Sequence, residues 1–140
     1  MQKEEIRKTF FQIEQAKRRR VQVFLKEIGL TPGQGQARIL QSLATHKPMT
    51  QRELAQECDL DVTTMSRALD RLESEGYLER RQNPQCRRSY QIVLTEAGEQ
   101  KAELIRQNFA KLEERMCGHL SEEEAEILLT VLKKIERQLR

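Results

Sequence analysis

Between residues 4 and 28, apolar side chains recur every three or four positions, at Ile6, Phe10, Ile13, Val21, Phe24, Leu25 and Ile28. That spacing predicts an amphipathic helix over Glu4–Ile28, which Gly29 stops. The next segment opens "TPGQ". Thr31 can cap a helix, Pro32 suits its first position because its missing N–H costs nothing there, and Gln34 completes a capping box. Ile39, Leu40 and Leu43 then form the buried face. "TQRE" repeats the signal with Thr50 and Glu53, opening a short helix that turns Leu54 and Ala55 inward until "DLD" breaks it. In "VTTMSRALDRLESEG", Met65, Ala68, Leu69 and Leu72 lie on one stripe and Thr63, Ser66, Arg67 and Asp70 on another, with Gly76 as the C-cap.

The period then changes. "YLERR" and "SYQIVLT" are rich in β-forming residues and flank an Asn-Pro turn signal, which predicts a hairpin whose basic end spans Gln82 to Arg88. Thr95 caps a long helix to about Cys117, Gly118 ends it, and "SEEE" (Ser121 with Glu124) opens a last helix. Its stripe is Ile127, Leu128, Val131, Leu132, Ile135 and Leu139. The pattern is mainly α with a small β-hairpin.

Charge matters by region. The formal net charge of +3 is the remainder of 25 basic and 22 acidic side chains. From Glu79 to Arg88 there are four arginines against one glutamate, whereas residues 96–140 hold eight basic and ten acidic side chains. A positive field is therefore expected at the hairpin. The run "KRRR" at Lys17–Arg20 wraps around too much of its helix to form one stripe and reads as a solvated face. No segment approaches the roughly 20 apolar residues of a membrane span, and the N-terminus has no apolar run of signal-peptide length, so a soluble cytoplasmic protein without a membrane partner is expected.

Two short helices, the second exposing small polar residues and an arginine, followed at once by a basic hairpin, describe a winged helix-turn-helix. The second helix of that motif lies in the DNA major groove. Thr63, Thr64 and Ser66 are short enough to let its backbone approach, while Arg67 reaches base edges or phosphates. Arg71 lies nearer the side of the stripe, and its bland reading is a helix pair with Glu75, as Arg67's is with Asp70. Arg87 and Arg88 would extend from the hairpin to the neighbouring backbone or minor groove.

These segments together resemble the MarR family of bacterial transcription regulators, over almost the whole chain. "GLTPGQGQARIL" is similar to the family's second helix, "LAQECDLDVTTMSRALDRLESEGYLERR" to its helix-turn-helix and "NPQCRRSYQIVLTEAG" to its wing. "LSEEEAEIL" is similar to the start of its last helix. The family's wing pattern, Asp-Pro-x-Asp-Arg-Arg followed by Leu-Thr-x-x-Gly, is met at Pro84, Arg87, Arg88, Leu94, Thr95 and Gly98. Asn83 and Cys86 replace the two aspartates, which removes a carboxylate that could orient a wing arginine. The resemblance implies a single MarR-like domain over 1–140, with a winged helix-turn-helix lobe at 31–95 and dimerisation helices at 1–30 and 96–140. It further implies a homodimer on palindromic double-stranded DNA, a repressor responsive to a small-molecule effector bound between the dimerisation helices and the DNA-binding lobe. The sequence independently permits the dimer, since its terminal helices carry long apolar stripes that a small central domain could not easily cover.

Three cysteines without CxxC spacing argue against a disulfide framework and a Cys-based zinc site. Cys58 falls at an apolar position and is expected to be buried, and Cys117 to pack at an interface. Cys86, at an exposed tip beside two arginines, is the candidate for a redox-sensing thiol. His46 and His119 are too few and too far apart to suggest a metal site. No P-loop, nucleophile elbow, HExxH or GxGxxG after a strand is present, so neither an enzyme nor a cofactor is expected. The alternative from another class is a winged-helix module that docks an acidic protein.

Overall fold

The computed structural model describes residues 1–33, 35–46 and 48–140, with every side chain among them except that of Arg87. The chain divides into two compact units, Met1–Arg106 and Gln107–Arg140. The first contains α1 (Gln2–Glu27), α2 (Gln36–Thr45), β1 (Met49–Thr50), α3 (Gln51–Cys58), α4 (Val62–Ser74), β2 (Leu78–Asn83), β3 (Cys86–Leu94) and the start of α5 (Glu96–Cys117). The second contains the rest of α5 and α6 (Glu122–Leu139). The architecture is the mainly helical one, with a small β wing, that the hydrophobic pattern predicts.

The core of the first unit draws on every element the pattern marked. Ile39, Leu40 and Leu43 of α2, Leu54 of α3 and Met65, Leu69 and Leu72 of α4 are each no more than 1% exposed, as are Leu78 and Ile92 of the sheet and Ile105 of α5. Two of the expected capping boxes are formed. Thr50 Oγ1 accepts from Glu53 N–H at 3.1 Å while the Glu53 carboxylate accepts from Thr50 N–H at 3.1 Å. Ser121 and Glu124 do the same at the start of α6.

The start of α2 differs from the expectation. "TPGQ" does not open it: Pro32 and Gly33 form a turn, and the helix begins at Gln36 after Gly35, whose φ of 75° is left-handed. Packing overrides the local signal here. A Cβ on Gly35 would lie 2.6 Å from a Leu60 methyl, so the chain is pressed against the turn that follows α3 before it can coil. Thr31 instead donates its backbone N–H to Gln36 Oε1 at 3.0 Å; Gln34, the other half of the expected box, lies outside the described residues.

β1 is an element the pattern did not reveal, because two residues leave no alternation to read. It pairs antiparallel with β3 through Met49↔Ile92 and Thr50↔Gln91, giving the sheet order β1-β3-β2. The hairpin strands reach closer to the tip than expected, to Asn83↔Cys86, with a register shift at Gln82/Asn83. Asn83 builds that turn: its Oδ1 accepts from Gln85 N–H and its Nδ2 donates to Ser89 Oγ, both at 3.0 Å.

A knot after the wing explains the spacing of Thr95 and Gly98. Thr95 Oγ1 accepts from Gly98 N–H at 3.1 Å, capping α5, and donates to the Gly76 carbonyl at 2.6 Å. Thr95 N–H donates to the Tyr77 carbonyl at 3.1 Å. Lys101 adds a further tie, its Nζ donating to the Ile28 carbonyl at the end of α1 while standing 5.1 Å from the centre of the Tyr77 ring.

Both terminal helices carry apolar side chains that nothing in their own unit covers. α1 buries only Leu25 and exposes Ile6, Phe10, Phe11, Ile13 and Val23. α6 buries nothing and exposes Ile127, Leu128, Leu129, Val131 and Leu139.

Candidate nucleic-acid interface

α4 is set at its first turn by Asp61. One carboxylate oxygen accepts from Thr64 N–H at 2.8 Å and the other from the Thr64 hydroxyl at 3.0 Å, which holds the Asp61 carboxyl below the usual carboxylate range. Because the folded-state value is the lower one, this cap is fully present above the ordinary carboxylate range and is lost as pH falls through the lowered value. Acidification is therefore expected to reduce amide-exchange protection in the first turn of α4 of the wild type, whereas Asp61→Asn, which caps without titrating, should show no such step. Equal pH dependence in the two proteins would exclude Asp61 as the cause.

With Met65, Ala68, Leu69 and Leu72 buried, α4 turns Thr63 and Arg67 fully outward and Ser66 and Thr64 partly so. The Thr64 hydroxyl is already committed to the cap. Arg67 has no acceptor among the described residues, and Asp70, its conceivable helix partner, is held by Arg80 at 2.9 Å. Arg71 differs: its Nε donates to Glu75 Oε1 at 3.0 Å, the helix pair that its spacing allowed.

The wing divides its arginines in the same way. Arg80, only 20% exposed at its side chain, bridges Asp70 at 2.9 Å and Glu73 at 2.7 Å, and its backbone N–H donates to Glu73 as well. Arg81 pairs with Glu79 at 3.0 Å. Two of the four arginines behind the expected positive field are thus neutralised, and what remains of it lies further out. Arg88 is exposed and has no acceptor among the described residues, while Arg87 stands beside it in β3 with its side chain outside the description. Cys86 is exposed at the tip. Cys58 is the buried thiol expected, 2% exposed with Sγ 3.5 Å from Ser42 Oγ, and burial pushes its pKa up. Cys117 is exposed within the chain.

One residue that sequence reasoning passed over joins this face. Arg52, on the first turn of α3, is exposed and has no acceptor among the described residues. Because Thr50 pairs with Gln91, the start of α3 is held beside β3, and Thr50, Gln51, Arg52, Arg88, Ser89 and Tyr90 line a cleft of about 400 Å³. The available signal was an arginine two residues after a capping threonine, in a segment read only for its inward side chains. Among the described residues no group of three or more His, Cys, Asp or Glu side chains could hold a metal ion, and no helix is long and apolar enough to cross a membrane.

The model of the MarR family matches residues 33–90, from the turn before α2 into the wing. An uncharacterised HTH-type transcriptional regulator of Bacillus cereus is 35% identical over 115 residues, covering 81% of this chain and 75% of its own. The chain belongs to the MarR family. Another HTH-type regulator, YwhA of Bacillus subtilis, is 32% identical over 97 residues, 69% of this chain and 70% of its own. Among solved structures, Staphylococcus aureus MepR in its DNA-binding conformation superposes with a TM-score of 0.80 at 26% identity, covering 96% of this chain and 98% of MepR. A mutant of Escherichia coli MarR complexed with operator DNA gives 0.78 at 27% identity, covering 94% and 93%. The family model and these relatives describe transcriptional regulators, and the MarR fold seen here is a DNA-binding one.

Proposed function

We propose that this MarR-family regulator acts as a homodimer that occupies a palindromic operator and represses transcription until a small-molecule effector releases it. The observation that carries the DNA contact is the division of arginines: Arg71, Arg80 and Arg81 are bound to carboxylates, whereas Arg67 on α4 and Arg88 on the wing have none among the described residues. Cations without an internal partner, next to the short side chains of Thr63 and Ser66, suit a polyanion with readable base edges. Thr64 serves mainly through the cap, and Arg71 lies at the margin of the site. Arg87 enters the reading through the wing pattern that this chain shares with the family. The exposed apolar faces of α1 and α6 support the dimer. For the effector, a cleft of about 300 Å³ between α2 and α5, lined by Gln41, Ala44, Ala102 and Arg106 among others, is at the lower end of small-ligand sites.

The test is a titration against a duplex selected by the protein from a random pool and against a shuffled duplex, at several salt concentrations. Arg88→Ala should weaken both complexes by a similar factor and lower the salt slope by about 0.9 for each phosphate that it ceases to neutralise. Arg67→Ala should change the preference between bases, with about 1–3 kcal/mol of discrimination removed at the position it reads. Equal losses on selected and shuffled DNA for Arg67→Ala would take it out of the reading set. Indifference of the wild type to both duplexes would favour the protein-docking alternative.

A further inference from the structure

We infer that Arg52 and Arg88, with Tyr90 beside them, form a clamp for one DNA backbone phosphate at the root of the wing. The inference deepens the reading of this face as a DNA contact and rests on it. Arg52 comes from the first turn of α3 and Arg88 from β3, yet both line the same cleft of about 400 Å³. Two like charges brought to one cleft repel unless an anion lies between them, and neither has a carboxylate acceptor among the described residues. Elsewhere in this lobe, Arg67 apart, the arginines with described side chains are satisfied: Arg38 donates to the Cys58 carbonyl at 2.7 Å, and Arg71, Arg80 and Arg81 bind carboxylates. Glu53, the carboxylate of the same α3 turn, bonds back to Thr50 N–H and lines a different cleft with His46 and Glu57.

The placement is set by the sheet. Thr50↔Gln91 pairing pins the start of α3 to β3, and Gln82↔Tyr90 pairing pins β3 to β2, so the two guanidinium groups are carried on a three-stranded frame. Tyr90, 52% exposed, offers a hydroxyl donor at the rim. A tetrahedral phosphate accepts from several directions at once, which matches donors arriving from two elements and suits the forked geometry of arginine. Contacts of this kind fix the register of the protein on the duplex and carry no base preference.

The experiment uses the full chain with the selected and shuffled duplexes. Arg52→Ala should weaken binding to both by about tenfold and lower the salt slope by about 0.9 for each of the two half-sites. Arg52→Lys, which keeps the charge and loses the fork, should lose part of the affinity and keep the slope. A scan with single neutral methylphosphonates should find, in each half-site, one position whose substitution weakens the wild type but has no further effect on Arg52→Ala or Arg88→Ala. If Arg52→Ala leaves affinity and slope unchanged while Arg67→Ala still alters base preference, the clamp is wrong and the DNA reading stands. If Arg52→Ala weakens binding but no single phosphate couples to both arginines, the clamp is also wrong, and Arg52 acts only through the general field. Failure of the wild type to bind either duplex removes the DNA reading and the clamp together.

Discussion

Insertion of about five base pairs between the half-sites of the selected operator is expected to lower affinity about 100-fold, because the second recognition helix then faces the opposite side of the duplex. A two-fold dimer presents two copies of α4, and both reach major grooves only if the half-site centres lie about 10 to 10.5 base pairs apart or at multiples of that spacing. Insertion of about ten base pairs restores the face, so the loss should be smaller than for five. Measuring affinity across a series of insertions separates a phase effect from a simple distance effect. A monotonic fall with length, or none at all, would refute the paired-helix arrangement even if the protein were dimeric in solution.

Gly98→Ala should lower the stability of the first unit by about 3 kcal/mol. The cause is steric: a Cβ there would stand 1.9 Å from the Tyr77 carbonyl oxygen, a backbone atom already held by Thr95 N–H. Relief requires moving either α5 or the junction between α4 and β2, and both are tied by the Thr95 hydroxyl. Alanine is the better helix former, so the sign of the effect tests packing against propensity directly. In thermal denaturation the variant should melt about 10 °C lower, while Glu96→Ala, exposed on the same turn, should shift Tm by no more than about 2 °C. A Gly98→Ala protein as stable as the wild type would mean that the close approach to Tyr77 relaxes at no cost.

The elements that could be read in the sequence were those whose signal is local and repeated. The stripes of α4 and α6 have a clear helical period, and Thr50–Glu53 and Ser121–Glu124 need only four consecutive residues to declare a helix start. The start of α2 could not be read, since the contact that delays it comes from Leu60, 25 positions beyond Gly35. β1 exists only because β3 is there to pair with it. The site shows the same division. Thr63, Ser66, Arg67 and Arg88 follow from position in the motif, but which arginines are neutralised depends on long-range geometry: Asp70 and Glu73 reach across to Arg80. Arg52 escaped notice for the same reason, because its neighbours in space are Arg88 and Tyr90 and its neighbours in sequence are the capping box.

The bridge from Arg80 to Asp70 and Glu73 turns the recognition helix and the wing into a lever. Beyond Arg80, three residues of β2 at about 3.3 Å each carry the tip about 10 Å from the bridge, and a rotation of the joined pair through about 12° sweeps that tip by about 2 Å, comparable to the reach of a hydrogen bond. The groove-facing turn of α4 lies about as far from the bridge, seven residues from Asp70 back to Thr63 at about 1.5 Å each, and moves by a similar amount under the same rotation. An effector that tilts the lobe would therefore shift the wing tip together with Thr63 and Arg67, so loosening of the backbone grip and loss of base reading would come in one step.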